Sequence, residues 1–296
     1  MSGYTSFAGA PACLWRVQAT LGEGVLWDAT AGQVWFVDIK GRRIHRCDPE
    51  GGSRRSWDAP GQVSFIVPAQ DGAMVCSLED GLYLFIEETG AFAPLLGVEA
   101  GLPGNRFNDG HVDAQGRLWF GSMDDAEEQR TGVLYRFDGA QVAAMDDGYV
   151  ITNGPALSPD GRTLYHTDTL SRRIYAFDVL EDGALERKRI FAELQGAGYP
   201  DGMAVDAEGC LWVATFGGWR IVRYDPQGAR LGEVRFPCAN ITKLAFGGED
   251  LRTVYVTSAR KGLSQEELRA QPLAGSLFTF RADTPGLPQH TLRLQD

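Results

Sequence analysis

VDAQGRLWFGSM at residues 112–123 returns, nearly letter for letter, as VDAEGCLWVATF at residues 205–216. LSPDGRTLYHTD at residues 157–168 is the same phrase with one residue inserted. Looser copies are LWDATAGQVWFVD (26–38), VPAQDGAMVCSLE (67–79) and FGGEDLRTVYVTS (246–258). Each reads as an apolar strand, an acidic or glycine-rich turn, and a second strand rich in aromatic and β-branched residues. Such turns reverse a hairpin because Gly takes positive φ and Asp bonds to the backbone just after it. The second strands are anchored by Trp35, Val75, Trp119, Tyr165, Trp212 and Tyr255, spaced 40, 44, 46, 47 and 43 residues apart. Repeats of that length with several short strands each define propeller blades, not helical solenoids. The spacing predicts an all-β protein: a six-bladed β-propeller of four-stranded antiparallel blades, with residues 1–296 forming one domain.

The remainder of each repeat agrees. A third, alternating strand follows the second, as in RRIYAFDV and WRIVRYDP, and a more polar fourth follows that, as in RRSWDAP and GEVRFP. Charges and Pro suit an outer edge strand because they discourage pairing with other chains. Only Ser264–Arg269 looks helical: Ser264 with Glu267 three positions on is a capping-box pattern, enough for one turn in a loop. To close the ring, residues 14–19 are expected to pair with residues 290–294.

Composition narrows the function. The formal net charge is −11, from 39 acidic and 28 basic residues, with no basic cluster to bind phosphate, so no nucleic-acid partner is expected. Five scattered cysteines (Cys13, Cys47, Cys76, Cys210, Cys238) form no C-x-x-C pair and are odd in number, which suits free thiols in a reducing compartment. The first dozen residues lack the basic start and apolar centre of a signal peptide, and no apolar run is long enough to span a membrane. A cytoplasmic protein without a membrane partner is expected.

The first strands of a propeller ring its central channel. Residues entering those strands therefore share one mouth: Gly22-Glu23-Gly24, Asn108-Asp109-Gly110, Asn153-Gly154-Pro155 and Asp201-Gly202-Met203. Glu23 and Asn153 both lie 12 residues before their anchors, and Asn108 and Asp201 both lie 11 before theirs. Matched register in different blades aims these side chains at a common spot. Oxygen donors without His or Cys form a hard-cation site, and a divalent ion relieves the repulsion among Glu23, Asp109 and Asp201. N-G and D-G also occur as plain turn signals. Four in register, one of them a Glu-Gly that turns poorly, favour the cation reading.

At these residues the chain resembles the regucalcin and gluconolactonase family of sugar-lactone hydrolases. GEG (22–24), NRFNDG (105–110), ITNGP (151–155) and YPDGM (199–203) carry the resemblance, which runs from LGEGVLWD to SARKGLSQEELRAQPLAGSLF. WFVDIK, ITNGP and HTDTL bring it nearest to bacterial pentonolactonases acting on xylonolactone or arabinonolactone. The family often has Pro where this chain has Val25, and Lys where it has His111. The resemblance implies one divalent metal ion (Ca²⁺, Zn²⁺, Mn²⁺ or Fe²⁺) held by Glu23, Asn153 and Asp201. It implies substrate contacts from Arg106 and Asn108, and Asp201 as the base. Some relatives carry a further acidic contact after the third blade. Asp124, Asp125, Glu127 and Glu128 are the candidates here, and Asp125 is assigned.

The expected reaction is metal-dependent hydrolysis of a pentonolactone or gluconolactone to the aldonic acid in oxidative sugar catabolism, by a monomer whose partner is a small sugar lactone. The alternatives are a non-catalytic cation- or sugar-binding propeller and a propeller esterase acting on other lactones or phosphoesters. Asp109 is the second candidate base. No G-x-S-x-G motif supports a covalent route. His111 and His166 are read as core residues, His45 and His290 as exposed, Phe107 as packing, Trp57, Trp119 and Trp212 as core between blades, and Trp219 as the aromatic lining the pocket.

Overall fold

The computed structural model describes residues 9–295, so part of the leader-free reading of the first dozen residues lies outside the described residues. Six four-stranded antiparallel sheets form in chain order. Their innermost strands are Gly22–Asp28, Ile66–Pro68, Asn105–Val112, Thr152–Leu157, Tyr199–Val205 and Asn240–Gly247. Each of these touches the next, and the last returns to the first, which makes a closed ring of six blades. The six anchors all fall in second strands and all are buried.

The core is a set of seams. One apolar cluster fills each junction between neighbouring blades, as where Trp212 and Ile221 of blade 5 meet Leu244 and Phe278 of blade 6. A sheet buries its faces only against other sheets, so a ring of blades leaves no face uncovered. The repeated phrase has its own cause. Asp113 accepts the amides of Gln115 and Arg117 and the indole N–H of Trp119. Asp206 repeats the pattern with Glu208, Cys210 and Trp212. One carboxylate thus closes the turn and fixes the core tryptophan six residues on.

Ring closure differs from expectation. The strand Ala12–Trp15 pairs with Leu277–Arg281 and completes blade 6, whose third strand would otherwise present an open edge. Residues 290–294 cannot serve there. Past Arg281 the chain crosses beneath the channel, where residues 287–289 line its lower end, and Leu292 bridges Ala69 of blade 2. The one α-helix among the described residues, Gln265–Ala270, has the expected capping box. No helix among the described residues is long and apolar enough to cross a membrane. The five cysteines are free.

Candidate metal centre and substrate cavity

The polar residues do not precede the inner strands; they interrupt them. In five blades the pairing of the first two strands slips at matching places, between residues 23 and 26, 107 and 110, 153 and 156, 200 and 203, and 241 and 244. A bulge frees a residue from the ladder and re-aims its side chain. Here five bulges point residues at one axis. Blade 2 has a three-residue inner strand with no slip and contributes packing instead: Phe65 lies against the face of Gly110.

Glu23, Asn153 and Asp201 line one cavity of about 350 Å³ together with Arg106 and Asn108. All five are buried. Among the described residues, the Glu23 carboxylate accepts only the Gly24 amide, at 3.1 Å, and Asp201 only that of Gly202. Burial, then repulsion from Asp201 and Asp109, pushes the Glu23 carboxyl well above the usual range. Burial and Asp109 do the same to Asp201. Asn153 is held by its amide: Nδ2 donates to Thr169 Oγ1, which in turn donates to the Pro200 carbonyl. That leaves Oδ1 facing the axis, accepting one bond from Asn108 Nδ2 at 2.8 Å. Two under-bonded buried carboxylates and an oriented amide oxygen fit a hard divalent cation.

A hydrogen-bonded wall adjoins these donors. Arg106 gives Nη1 to Asn108 Oδ1 at 2.7 Å and Nε to Asp125 Oδ1 at 2.8 Å. Asp125 also accepts from Lys40 and Gln62. Burial pushes the Asp125 carboxyl up, yet the Lys40 and Gln62 hydrogen bonds and the Arg106 charge outweigh it and hold it at about 2.

Asp125, assigned as a substrate contact, is thereby engaged behind Arg106 and does not line the cavity; Glu127 does. Asp124 caps its own loop through the amides of Glu128 and Gln129, and Glu128 is exposed. Glu127 is ion-paired with Lys261, which reaches the mouth from the opposite blade. Asp109 is turned onto Lys243 and does not line the cavity, though its charge still reaches Glu23 and Asp201. Trp219 is not in the lining either; Tyr199 and Phe216 supply the aromatic faces. His45 is buried between Phe36 and Trp15, and burial drops it to about 4. Phe107, Trp119, Trp212 and His166 are fully packed, as expected.

Lys261, Thr169 and Tyr199 were not assigned from sequence, although SARKG, HTDTL and YPDGM carry them. A second acidic group, Asp206, Glu208 and Cys210, lies close enough to suggest a metal. Its donors are already spent. Asp206 accepts two amides, the Trp212 indole and two bonds from Arg223, and burial raises the Cys210 thiol to about 11.

A six-bladed propeller with buried oxygen donors gathered at its axis defines the class. The chain belongs to the SMP-30/gluconolactonase/LRE-like family, whose model matches residues 21–260. It is 37% identical to 6-deoxy-6-sulfogluconolactonase of Pseudomonas putida, covering 93% of this chain and 95% of that one. It is 34% identical to L-arabinolactonase of Azospirillum brasilense, covering 95% and 94%. The solved structure of regucalcin, a calcium-binding protein from Agrobacterium tumefaciens, superposes with a TM-score of 0.93 at 30% identity, over 97% of this chain and 98% of that one.

Proposed function

We propose that this protein hydrolyses a five- or six-carbon sugar lactone to its aldonic acid, with a divalent ion held by Glu23, Asn153 and Asp201. The observation that carries the reading is the meeting of two under-bonded buried carboxylates and an oriented amide oxygen beside a wall of polyol-binding groups. The lactonase names of the Pseudomonas and Azospirillum relatives support it. The residues that hold the ion belong to blades 1, 4 and 5, so only the closed ring brings them together.

An ion bound there supplies Lewis acidity toward the lactone carbonyl. Asp201 takes a proton from the attacking water as its oxygen adds to the carbonyl carbon. The ring C–O bond then breaks, and the same proton passes from Asp201 to the departing ring oxygen, which becomes a hydroxyl. The new acid ionises and releases one proton to solvent. Arg106, held by Asn108 and Asp125, donates to sugar oxygens through its remaining Nη2. Asn108, whose two amide hydrogens go to the Thr152 carbonyl and Asn153, offers Oδ1 as an acceptor. This fixed frame lowers the entropy cost of orienting a flexible polyol. Arg106 and Lys40 share the single charge of Asp125, so this side keeps an excess positive charge suited to the carboxylate product. Leu21, Met123, Ile151 and Phe216 complete an apolar lining that limits bulk water.

A cytoplasmic monomer acting in oxidative sugar catabolism fits the free thiols and the absence of a nucleic-acid-binding cluster. The test is proton release from D-xylonolactone, L-arabinonolactone and gluconolactone before and after chelation. The reading expects acceleration with at least one lactone, lost with the metal and restored with it. Rates equal to spontaneous hydrolysis with all three would favour a binding-only propeller.

A further inference from the structure

Beneath the cation donors, Lys243 Nζ meets Asp109 Oδ2 at 2.6 Å, and both side chains are almost wholly buried. Asp109 lies on blade 3 and Lys243 on blade 6, three steps apart in a ring of six, so the ion pair spans the axis. Both residues come from bulges, as the ligand residues do. The lysine stem needs room to reach the centre, and blade 5 leaves it. A Cβ on Gly202 would lie 2.4 Å from Lys243 Cδ. Lys243 also lines a second, small cavity of about 60 Å³ below, closed by residues 287–289. The pair therefore lies between an upper chamber, lined by the cation donors, and a smaller lower one.

Charge bookkeeping gives the pair its meaning. Glu23, Asp109 and Asp201 place three negative charges on the axis, and Lys243 places one positive charge among them. Asp109 spends Oδ2 on Lys243, accepts the amides of Gly110 and Gly154, and does not line the upper chamber. What remains is the charge of Glu23 and Asp201, the complement of one dication.

We infer that the Lys243–Asp109 ion pair is the electrostatic floor of the cation site: it cancels the third axial carboxylate and sets how tightly Glu23, Asn153 and Asp201 hold a divalent ion. Both are positioning residues, not ligands. The inference rests on the metal reading above. Its signature is opposite signs, because the two halves of the pair carry opposite charges near one cation and act over several Å of weakly screened interior.

The experiment titrates metal-free protein with Mn²⁺ by calorimetry, with thermal melts to confirm folding. Lys243→Met strips Asp109 of its partner and should tighten Mn²⁺ binding about tenfold or more. Asp109→Asn leaves the ammonium unopposed and should weaken it by a similar factor. The double variant should return to within about threefold of wild type. A pair that only props the fold would weaken binding in both single variants and leave the double variant no better, and that result overturns the inference. Should Lys243→Met not fold, the comparison of Asp109→Asn with the double variant decides alone: restored binding supports the floor, and equally weak binding refutes it. Wild-type protein that binds no Mn²⁺ would instead sink the metal reading beneath it.

Discussion

Asp201 and Asp206 lie five residues apart on one hairpin of blade 5, and both are buried. Five donors surround Asp206: the amides of Glu208 and Cys210, the Trp212 indole, and two from Arg223. Asp201 has the amide of Gly202. A buried carboxylate normally finds partners, since an unpaired one costs several kcal/mol. Asp206 obeys that rule and does structural work, repeating the Asp113 turn of blade 3. Asp201 breaks it, next to Glu23, which breaks it too. On the proposed reading, a shortage of donors, not burial or closeness to other acids, separates Asp201 from Asp206. The Asp206, Glu208 and Cys210 cluster is the more compact acidic group and the poorer metal site.

Exchanging the two roles should therefore fail in different ways. Asp201→Ala should cut lactone hydrolysis by about 10²–10⁴-fold. Its metal-free melting temperature should stay level or rise, because a repelling charge is gone; steady-state rates and a thermal melt check this. Asp206→Ala should cost about 3–5 kcal/mol of stability, by leaving Arg223 with a broken buried pair. Turnover per folded molecule and bound metal per chain should be unchanged, as denaturant unfolding and elemental analysis would show. Arg106→Lys keeps the charge but loses the fork that engages Asn108 and Asp125 at once. We expect kcat/KM to fall about 10–100-fold, with stability little altered.

The smallest effect concerns pH. Burial raises the carboxyls of Glu23 and Asp201 in the folded chain, so each holds its proton more tightly there than when unfolded. Their contribution to the stability of metal-free protein is fully present below the ordinary carboxylate range and is lost as pH climbs through the raised values. A bound cation removes that loss. The melting-temperature gain on adding Mn²⁺ should therefore grow from acid to neutral pH, and a gain independent of pH would contradict the assignment. Asp125 runs the other way: held at about 2, its contribution is present above the usual range and fades as pH falls toward that value.

Much of this was legible in the chain itself. The propeller follows from the repeated phrase because one Asp–Trp turn recurs at blade spacing and period-two strands need covering on both faces. The convergence of Glu23, Asn108, Asn153 and Asp201 follows from register, since bulges at matching places keep the distance to the anchor nearly constant. The choice of Glu23, Asn153 and Asp201 as ligands comes from the family resemblance. Register could not say which way each bulge residue turns. Asn108 and Asp109 are adjacent, yet one meets Asn153 at the cation donors and the other meets Lys243 below them. Lys243 itself carries no turn signal, because blade 6 reaches its bulge through Ile-Thr-Lys without glycine. Ring closure was misjudged because the crossing of residues 287–289 under the channel depends on tertiary contacts with no local pattern. Asp125 and Glu127 sit two residues apart in one loop, and Glu127's positive φ of 63° helps set which of them faces the cavity.

The most direct test compares bound metal in wild-type protein and in the double variant Glu23→Gln, Asp201→Asn, loaded identically and measured by elemental analysis after gel filtration. The account predicts one divalent ion per wild-type chain and none in the double variant, with the Asp206 cluster intact in both. An ion retained at full occupancy by the double variant would place the metal elsewhere and contradict the account.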